Sequence, residues 1–215
     1  MYSNNHCLVF SHDENSSGYN SCDTKYGDIS ESTFMNEAFL PWYSVRSSIT
    51  DVNIENKIKP TSTKNWFYDF NNLVNINTSN INTSNVTSMN FMFYNCRKLT
   101  SLDLSSFDTS KVTAMYGLVR NCTSLTSLNV SNFNTSSVTD MRFMFDGCTK
   151  LPSLDLLNFN TSKVTTMRSM FENCYQLTSI NYGPNFVNSS LTDSTNMFEN
   201  SPAKWDATLQ PSWYQ

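Results

Sequence analysis

The sequence predicts an α/β fold: a solenoid of about six 26-residue coils, each with a short parallel β-strand and a short helix, capped at both ends. Three observations predict it. Cys96, Cys122, Cys148 and Cys174 recur every 26 residues. Each repeat has one segment with helical spacing and one with strand alternation. Asn, Ser and Thr make up 84 of the 215 residues, so any apolar core is thin, as in a stack whose broad surfaces face solvent.

The apolar residues follow the same register as the cysteines. Apolar columns begin at Val86, Met89, Met92, Phe93, Leu99, Leu102 and Leu104 and continue in steps of 26 residues. The register extends one coil back, to Phe67, and one coil forward with one inserted residue, to Phe198. One such coil buries too little apolar surface to fold alone, so neighbouring coils must stack.

The first half of each coil is predicted to be a short helix. In one coil the apolar residues Val112, Met115, Leu118 and Val119 fall three or four positions apart, as on one face of a helix. The Asp/Asn-Thr-Ser triplet before it, such as 108–110, offers side-chain oxygens for the first amides. The residues before the repeated cysteines tolerate the left-handed conformation that ends a helix, and they are Asn95, Asn121, Gly147 and Asn173.

The second half of each coil is predicted to be a strand, because 125–130 alternates apolar and polar residues. Residues 57–199 then form the repeats. Residues 1–56 form an N-terminal cap with a strand at 8–10 and a mobile loop at 11–33. Residues 200–215 form a C-terminal cap anchored by Trp205 and Trp213.

Charge and composition exclude several classes of function. The net charge of −4 leaves no basic patch for nucleic acid, and no apolar run is long enough for membrane insertion. No phosphate-binding loop, paired-carboxylate cleft or activated nucleophile is visible. We therefore expect a chain that is not an enzyme, with no catalytic residue, no cofactor and no metal.

The candidate ligand-binding surface is the outward face of the strands. Its exposed positions form columns of short hydrogen-bonding side chains, joined by one outward leucine. The predicted ligand-binding residues are Ser101, Asp103, Ser127, Asn129, Ser153, Asp155, Leu157, Ser179 and Asn181. Such groups suit sugar hydroxyls or a polar protein patch, although a solvated face with no partner would look the same. Leu157 is either an apolar anchor or an ordinary exposed leucine.

The cysteine column is predicted to hold buried free thiols that act as small apolar groups. Disulfides between adjacent coils remain the alternative, and a linear column cannot surround zinc tetrahedrally. Cys7 and Cys22 lie outside the repeats, where a disulfide would close the loop between them. A zinc site of His6, Cys7, His12 and Cys22 is disfavoured because the spacings match no standard finger.

The repeated pattern resembles a known family. Segments such as LTSLNVSNFNTSSVTDMRFMFDGC resemble the BspA-type leucine-rich repeat of bacterial surface proteins, also catalogued as a DUF285 or lipoprotein-like repeat. The resemblance covers residues 41 to about 198 and implies a leucine-rich-repeat-like solenoid. Phe107, Phe133 and Phe159 occupy the position where the general consensus has Asn, so no buried Asn ladder is predicted.

The resemblance also implies an extracellular or cell-surface protein of a host-associated microbe. The expected function is adhesion to a host or microbial protein or glycan through the strand face, by a monomer. A structural spacer that displays another domain is the alternative. The start, MYSNNHCLVF, lacks the features of a signal peptide, so we expect a segment of a larger exported protein, with an intracellular chain as the alternative.

Overall fold

The computed structural model describes residues 7–10, 24–26, 42–54 and 57–214. Within them lie eight short β-strands and three single-turn 3-10 helices. The strands are β1 (Cys7–Phe10), β2 (Thr24–Tyr26), β3 (Asp51–Ile54), β4 (Asn75–Ile76), β5 (Ser101–Asp103), β6 (Ser127–Asn129), β7 (Ser153–Leu156) and β8 (Ser179–Tyr182). The 3-10 helices span Tyr43–Val45, Pro202–Lys204 and Ala207–Leu209.

All strand pairs are parallel, and within the repeats their partners lie one coil apart. Ser101 pairs with Ser127 in β5–β6, and Ser153 pairs with Ser179 in β7–β8, each 26 residues further on. The N-terminal sheet has the order β2-β1-β3-β4. Short parallel strands at this spacing form a solenoid-like stack of coils, as the repeat predicts.

The predicted helix in each coil is wrong, because this half of the coil is a run of tight turns. Alternate amides donate to the next coil, as from Met89 to the Ala114 carbonyl (3.0 Å) and from Phe91 to Tyr116 (2.8 Å). The next amide, that of Met92, donates within its own coil to the carbonyl of Met89, three residues back (3.3 Å). Half of the donors that an α-helix would use internally therefore link neighbouring coils.

Two residues in every coil have a positive φ, which bends the chain at each end of these turns. These residues, with φ between +56° and +73°, are Asn65 and Asp69, Phe91 and Asn95, Gly117 and Asn121, Phe143 and Gly147, Ser169 and Asn173, and Asn196 and Asn200. The second residue of each pair is Asp, Asn or Gly, and this column is thus a turn signal repeated along the stack. Six pairs at this spacing place six coils in the described residues, as predicted, with the single insertion before the last.

The core is a set of side-chain columns that run along the stack. The Val, Met, Phe, Leu and Cys columns are almost all fully buried. Rings of successive coils stack in parallel, as between Phe145 and Phe171 (centroids 5.6 Å apart, 7° between planes) and between Phe133 and Phe159 (6.2 Å, 12°). The phenylalanines at the Asn position of the consensus are therefore part of the core.

Buried threonines join the coils where an Asn ladder is missing. The hydroxyl of Thr109 donates to the carbonyl of Asn134 (3.0 Å) and accepts the amide of the same residue (2.8 Å). Thr135 makes the same two bonds to Asn160, at 2.9 and 2.8 Å. Thr83 and Thr161 lie in this column and are also buried.

The two ends of the stack fit the predictions in part. β1 confirms the predicted N-terminal strand, while β2 lies inside the segment predicted as a loop; the rest of 11–33 lies outside the described residues. At the C-terminus Trp213 stacks on Phe186 (6.1 Å, 12°). The prediction that Trp205 anchors this cap is wrong, because it is 84% exposed. No helix in the described residues is long and apolar enough to cross a membrane.

Candidate ligand-binding surface on the strand face

The strand face, defined by the nine residues predicted to bind a ligand, faces outward. The inward residues between them pack in the core, and the burial pattern alternates along β5 and β7. Eight of the nine residues are exposed and Asn129 is half-buried. Pairing of β5 with β6 and of β7 with β8 brings these side chains together in two groups.

Asp and Asn alternate across neighbouring strands and hydrogen-bond to one another. Asn181 Nδ2 donates to Asp155 Oδ1 (3.0 Å), and Asn75 Nδ2 donates to Asp51 Oδ1 (2.8 Å). These pairs orient the carboxylates along the sheet, as cross-strand pairs do in general.

The same side chains close turns at the ends of their strands, a role that the sequence analysis missed. In each case Oδ1 accepts the backbone amide two residues later, which is an Asx turn. The donors are Ser105 for Asp103 (2.9 Å), Ser131 for Asn129 (3.2 Å) and Leu157 for Asp155 (3.1 Å). Hydrogen bonds from Ser105 hold the pKa of Asp103 below its ordinary value. An Asp or Asn column at a strand end was the signal for this.

A groove opens at the N-terminal end of the strand face. It has a volume of about 320 Å³ and is lined by residues 51–53, 74–77 and Ser101. Val74 is one of the few exposed large apolar residues there. Asn53 lies on its wall, and its side chain makes no hydrogen bond within the described part of the chain. Of the residues that line this groove, only Ser101 was predicted to bind a ligand, because the groove forms where β3 of the predicted cap pairs with β4.

Leu157 is 49% exposed, as the alternation of apolar and polar residues predicts. It lies directly after β7. A Cβ atom added to Gly183 would come within 1.8 Å of the Leu157 carbonyl oxygen. The glycine one coil further on therefore lets the chain pass close to the Leu157 backbone. Whether Leu157 anchors a ligand stays a prediction.

The four repeated cysteines are buried free thiols, as predicted. Each thiol donates to a backbone carbonyl 29 residues earlier, for example Cys148 to Val119 (3.3 Å) and Cys174 to Phe145 (3.1 Å). Burial raises the pKa of Cys96, Cys148 and Cys174, because the thiolate would lose its hydration. These thiols are therefore structural groups.

No cluster of three metal-ligating side chains occurs among the described residues. The disfavoured zinc site of His6, Cys7, His12 and Cys22 involves side chains outside them, as does the Cys7–Cys22 disulfide. Neither prediction is tested.

A partly buried ion pair lies on the turn side of the coils. Arg120 Nε donates to Asp146 Oδ2 (2.8 Å), and Asn173 donates to Oδ1 of the same carboxylate (3.1 Å). The Asp146 side chain is 4% exposed, and burial raises its pKa despite both bonds. The Arg120 guanidinium lies over the Phe143 ring, 4.2 Å from its centroid. Since both carboxylate oxygens are bonded within the protein, this pair ties coils together.

Comparison with known families decides what the chain is related to. The family model described as "Mycoplasma protein of unknown function, DUF285" matches residues 33–128 and again residues 100–210. The chain belongs to the DUF285 family. The two matches to DUF285 overlap over little more than one coil. Such overlap is expected because the same repeat can align with the family model at more than one register. No curated protein and no solved structure matches the chain.

Proposed function

We propose that this DUF285 chain is a non-enzymatic binding module, similar to BspA-type leucine-rich repeat surface proteins, and that it works extracellularly or at a cell surface. It recognises a polar patch of a host or microbial protein or glycan through the strand face. The observation that carries the proposal is the groove of about 320 Å³ that continues this face. Grooves of this size hold small ligands or single side chains.

The chemistry of the face supports a polar, neutral or basic partner. Serine hydroxyls alternate with amide and carboxylate groups, and Asp51 adds a carboxylate at the groove. Val74 supplies an apolar contact beside them. Such a surface offers directional hydrogen bonds with little apolar area, so we expect binding that is weak per site and gains from repetition in a larger assembly.

A structural spacer is the second candidate, and one observation favours it. Oδ1 of Asp103, Asn129 and Asp155 already closes an Asx turn. A face whose acceptors serve the fold needs no ligand to explain its composition. A stack with two capped ends would then hold a neighbouring domain at a set distance.

A binding experiment separates the two candidates. The full chain is screened against mucin, fibronectin and a glycan array, and any ligand found is titrated against Ser101→Arg, which fills the groove from an exposed position. Thr139→Arg is the matched control, since Thr139 is exposed outside the strand face. We expect Ser101→Arg to weaken binding at least tenfold and the control to leave it unchanged.

Asp103→Asn and Asp155→Asn test the carboxylates without breaking the turns, because Asn129 forms the same Asx turn. Equal binding by Ser101→Arg and the wild type would contradict the assigned surface. No binding to any probe would favour the spacer.

A further inference from the structure

A second groove lies between the last coil and the C-terminal cap, away from the strand face. It has a volume of about 480 Å³, and its walls come from the last coil and the cap. The lining residues are Asn188, Leu191, Thr192, Asp193 and Ser194 of the coil and Trp213 and Tyr214 of the cap. No residue of the strand face lines it. The volume falls in the range of about 300–1,000 Å³ that is usual for small-molecule sites.

Two aromatic rings and Leu191 form the apolar wall of this groove, and both rings are held by the core. Trp213 stacks on Phe186 (6.1 Å, 12°), and its Nε1 donates to the Phe186 carbonyl (2.9 Å). Tyr214 packs edge-on against Phe198 (5.0 Å, 80°). Because the indole N–H is occupied, Trp213 presents only ring carbon atoms to the groove. Both side chains are half-buried, so part of each ring stays accessible.

The polar wall of the groove has four side chains, of which Thr192 donates its hydroxyl to the Thr165 carbonyl (2.9 Å). Asn188 and Ser194 make no side-chain hydrogen bond within the described part of the chain, in contrast to the Asx residues of the strand face. Asp193 accepts the Thr195 amide through Oδ1 (3.0 Å) and only a long bond from Thr166 through Oδ2 (3.4 Å). Hydrogen bonds from Thr195 lower the pKa of Asp193, so its carboxylate is ionised at neutral pH.

This combination matches one class of ligand. A pyranose ring has an apolar C–H face and a rim of hydroxyls that both donate and accept. The rings of Trp213 and Tyr214 suit the C–H face, while an amide, a hydroxyl and a carboxylate suit the rim. Among the described residues that line the groove, Asp193 is the one charged group, and it disfavours anionic sugars and phosphates.

We propose that this groove is a binding site for a neutral sugar ring. It is separate from the strand face, so either site can fail without the other.

The test follows the groove residues directly by NMR on the full chain. Glucose, galactose, mannose and N-acetylglucosamine are each titrated to about 50 mM, a concentration that nearly saturates a site with a Kd of ~1 mM. We expect at least one sugar to shift the Trp213 indole signal and the amides of Asn188 and 191–194, and to leave those of 101–103 unmoved.

The double variant Asn188→Ala/Ser194→Ala should weaken that binding by about tenfold or more, because it removes two side chains that would hydrogen-bond to the sugar hydroxyls. Asn185→Ala/Ser189→Ala is the matched control, because both residues are exposed in the same coil and do not line the groove. Asp103→Asn should leave the sugar shifts intact, which separates this site from the strand face.

Three results would overturn the proposal. The first is no shift with any of the four sugars. The second is unweakened binding by the Asn188→Ala/Ser194→Ala variant. The third is a shift with choline chloride alone, which would identify an ammonium site built on the same rings and carboxylate.

Discussion

The Thr135 hydroxyl shows how one side chain can hold two coils together. It is fully buried and serves both backbone groups of Asn160, donating to the carbonyl and accepting the amide. Buried backbone groups without partners are costly, so this hydroxyl replaces a missing ladder bond. From the sequence this threonine column was predicted to cap helices, because only the stack shows that the hydroxyl points into the neighbouring coil.

Thr135→Val should therefore destabilise the chain by about 1–3 kcal/mol, because an isosteric side chain leaves the amide and carbonyl of Asn160 unpaired. Urea denaturation followed by circular dichroism measures this loss. Thr139→Val is the control, since that exposed hydroxyl makes a 3.3 Å bond that water can replace, and its effect should stay within about 0.5 kcal/mol. Equal effects of both variants would contradict the role of the buried column.

The repeated thiols should be inert in the folded chain. Burial disfavours the thiolate, so raising the pH to 9.0, the ordinary pKa of a thiol, should not expose Cys96, Cys148 or Cys174 to iodoacetamide. Peptide mapping by mass spectrometry reads each site, and the same peptides should label fully in urea. Rapid labelling of Cys148 in the native chain would rule out its buried position.

At the scale of elements, strands were predictable and helices were not. A period of two places alternate side chains in the core in any strand, and the structure confirms this pattern in β5 and β7. The spacing of Val112, Met115, Leu118 and Val119 suits one face of a helix, but consecutive turns satisfy it equally. Hydrogen bonds to the next coil decide between the two, and they are invisible in a single repeat.

The left-handed positions make these turns possible, and Asn121 tests them. Its φ is +61°, a conformation that glycine adopts freely and alanine adopts at a cost of about 1–2 kcal/mol. Asn121→Gly should therefore be nearly neutral and Asn121→Ala destabilising by about 1 kcal/mol, measured by urea denaturation. A more stable Ala than Gly variant would indicate a helical conformation at this position.

On the scale of the whole molecule, the Asx turns repeated along the stack should make stability depend on pH. Hydrogen bonds from Ser110 lower the pKa of Asp108 from its ordinary 3.8. The unfolded chain therefore takes up this proton first as the pH falls, and the stabilisation is present above pH 3.8 and is lost below it. The raised pKa of Asp146 acts in the opposite direction.

Asp108→Asn isolates this contribution, because Asn134 and Asn160 make the same turn in the next coils, at 3.1 and 3.0 Å. The urea midpoint is measured near pH 7 and near pH 2.5. It should fall less between these two pH values for the variant than for the wild type. Asp146 is unchanged in both proteins and cancels in the comparison. An equal fall would mean that Asp108 has the same pKa in the folded and unfolded chain.

Periodicity along one chain was enough to predict the 26-residue coil, the parallel strands, the buried apolar columns and the outward polar face. Only the folded stack shows the turns in place of helices, the threonine bonds between coils, the exposure of Trp205 and the two grooves. These features depend on contacts between each hydrogen-bond donor or aromatic ring and a neighbouring coil. The sequence of a single repeat does not contain those contacts.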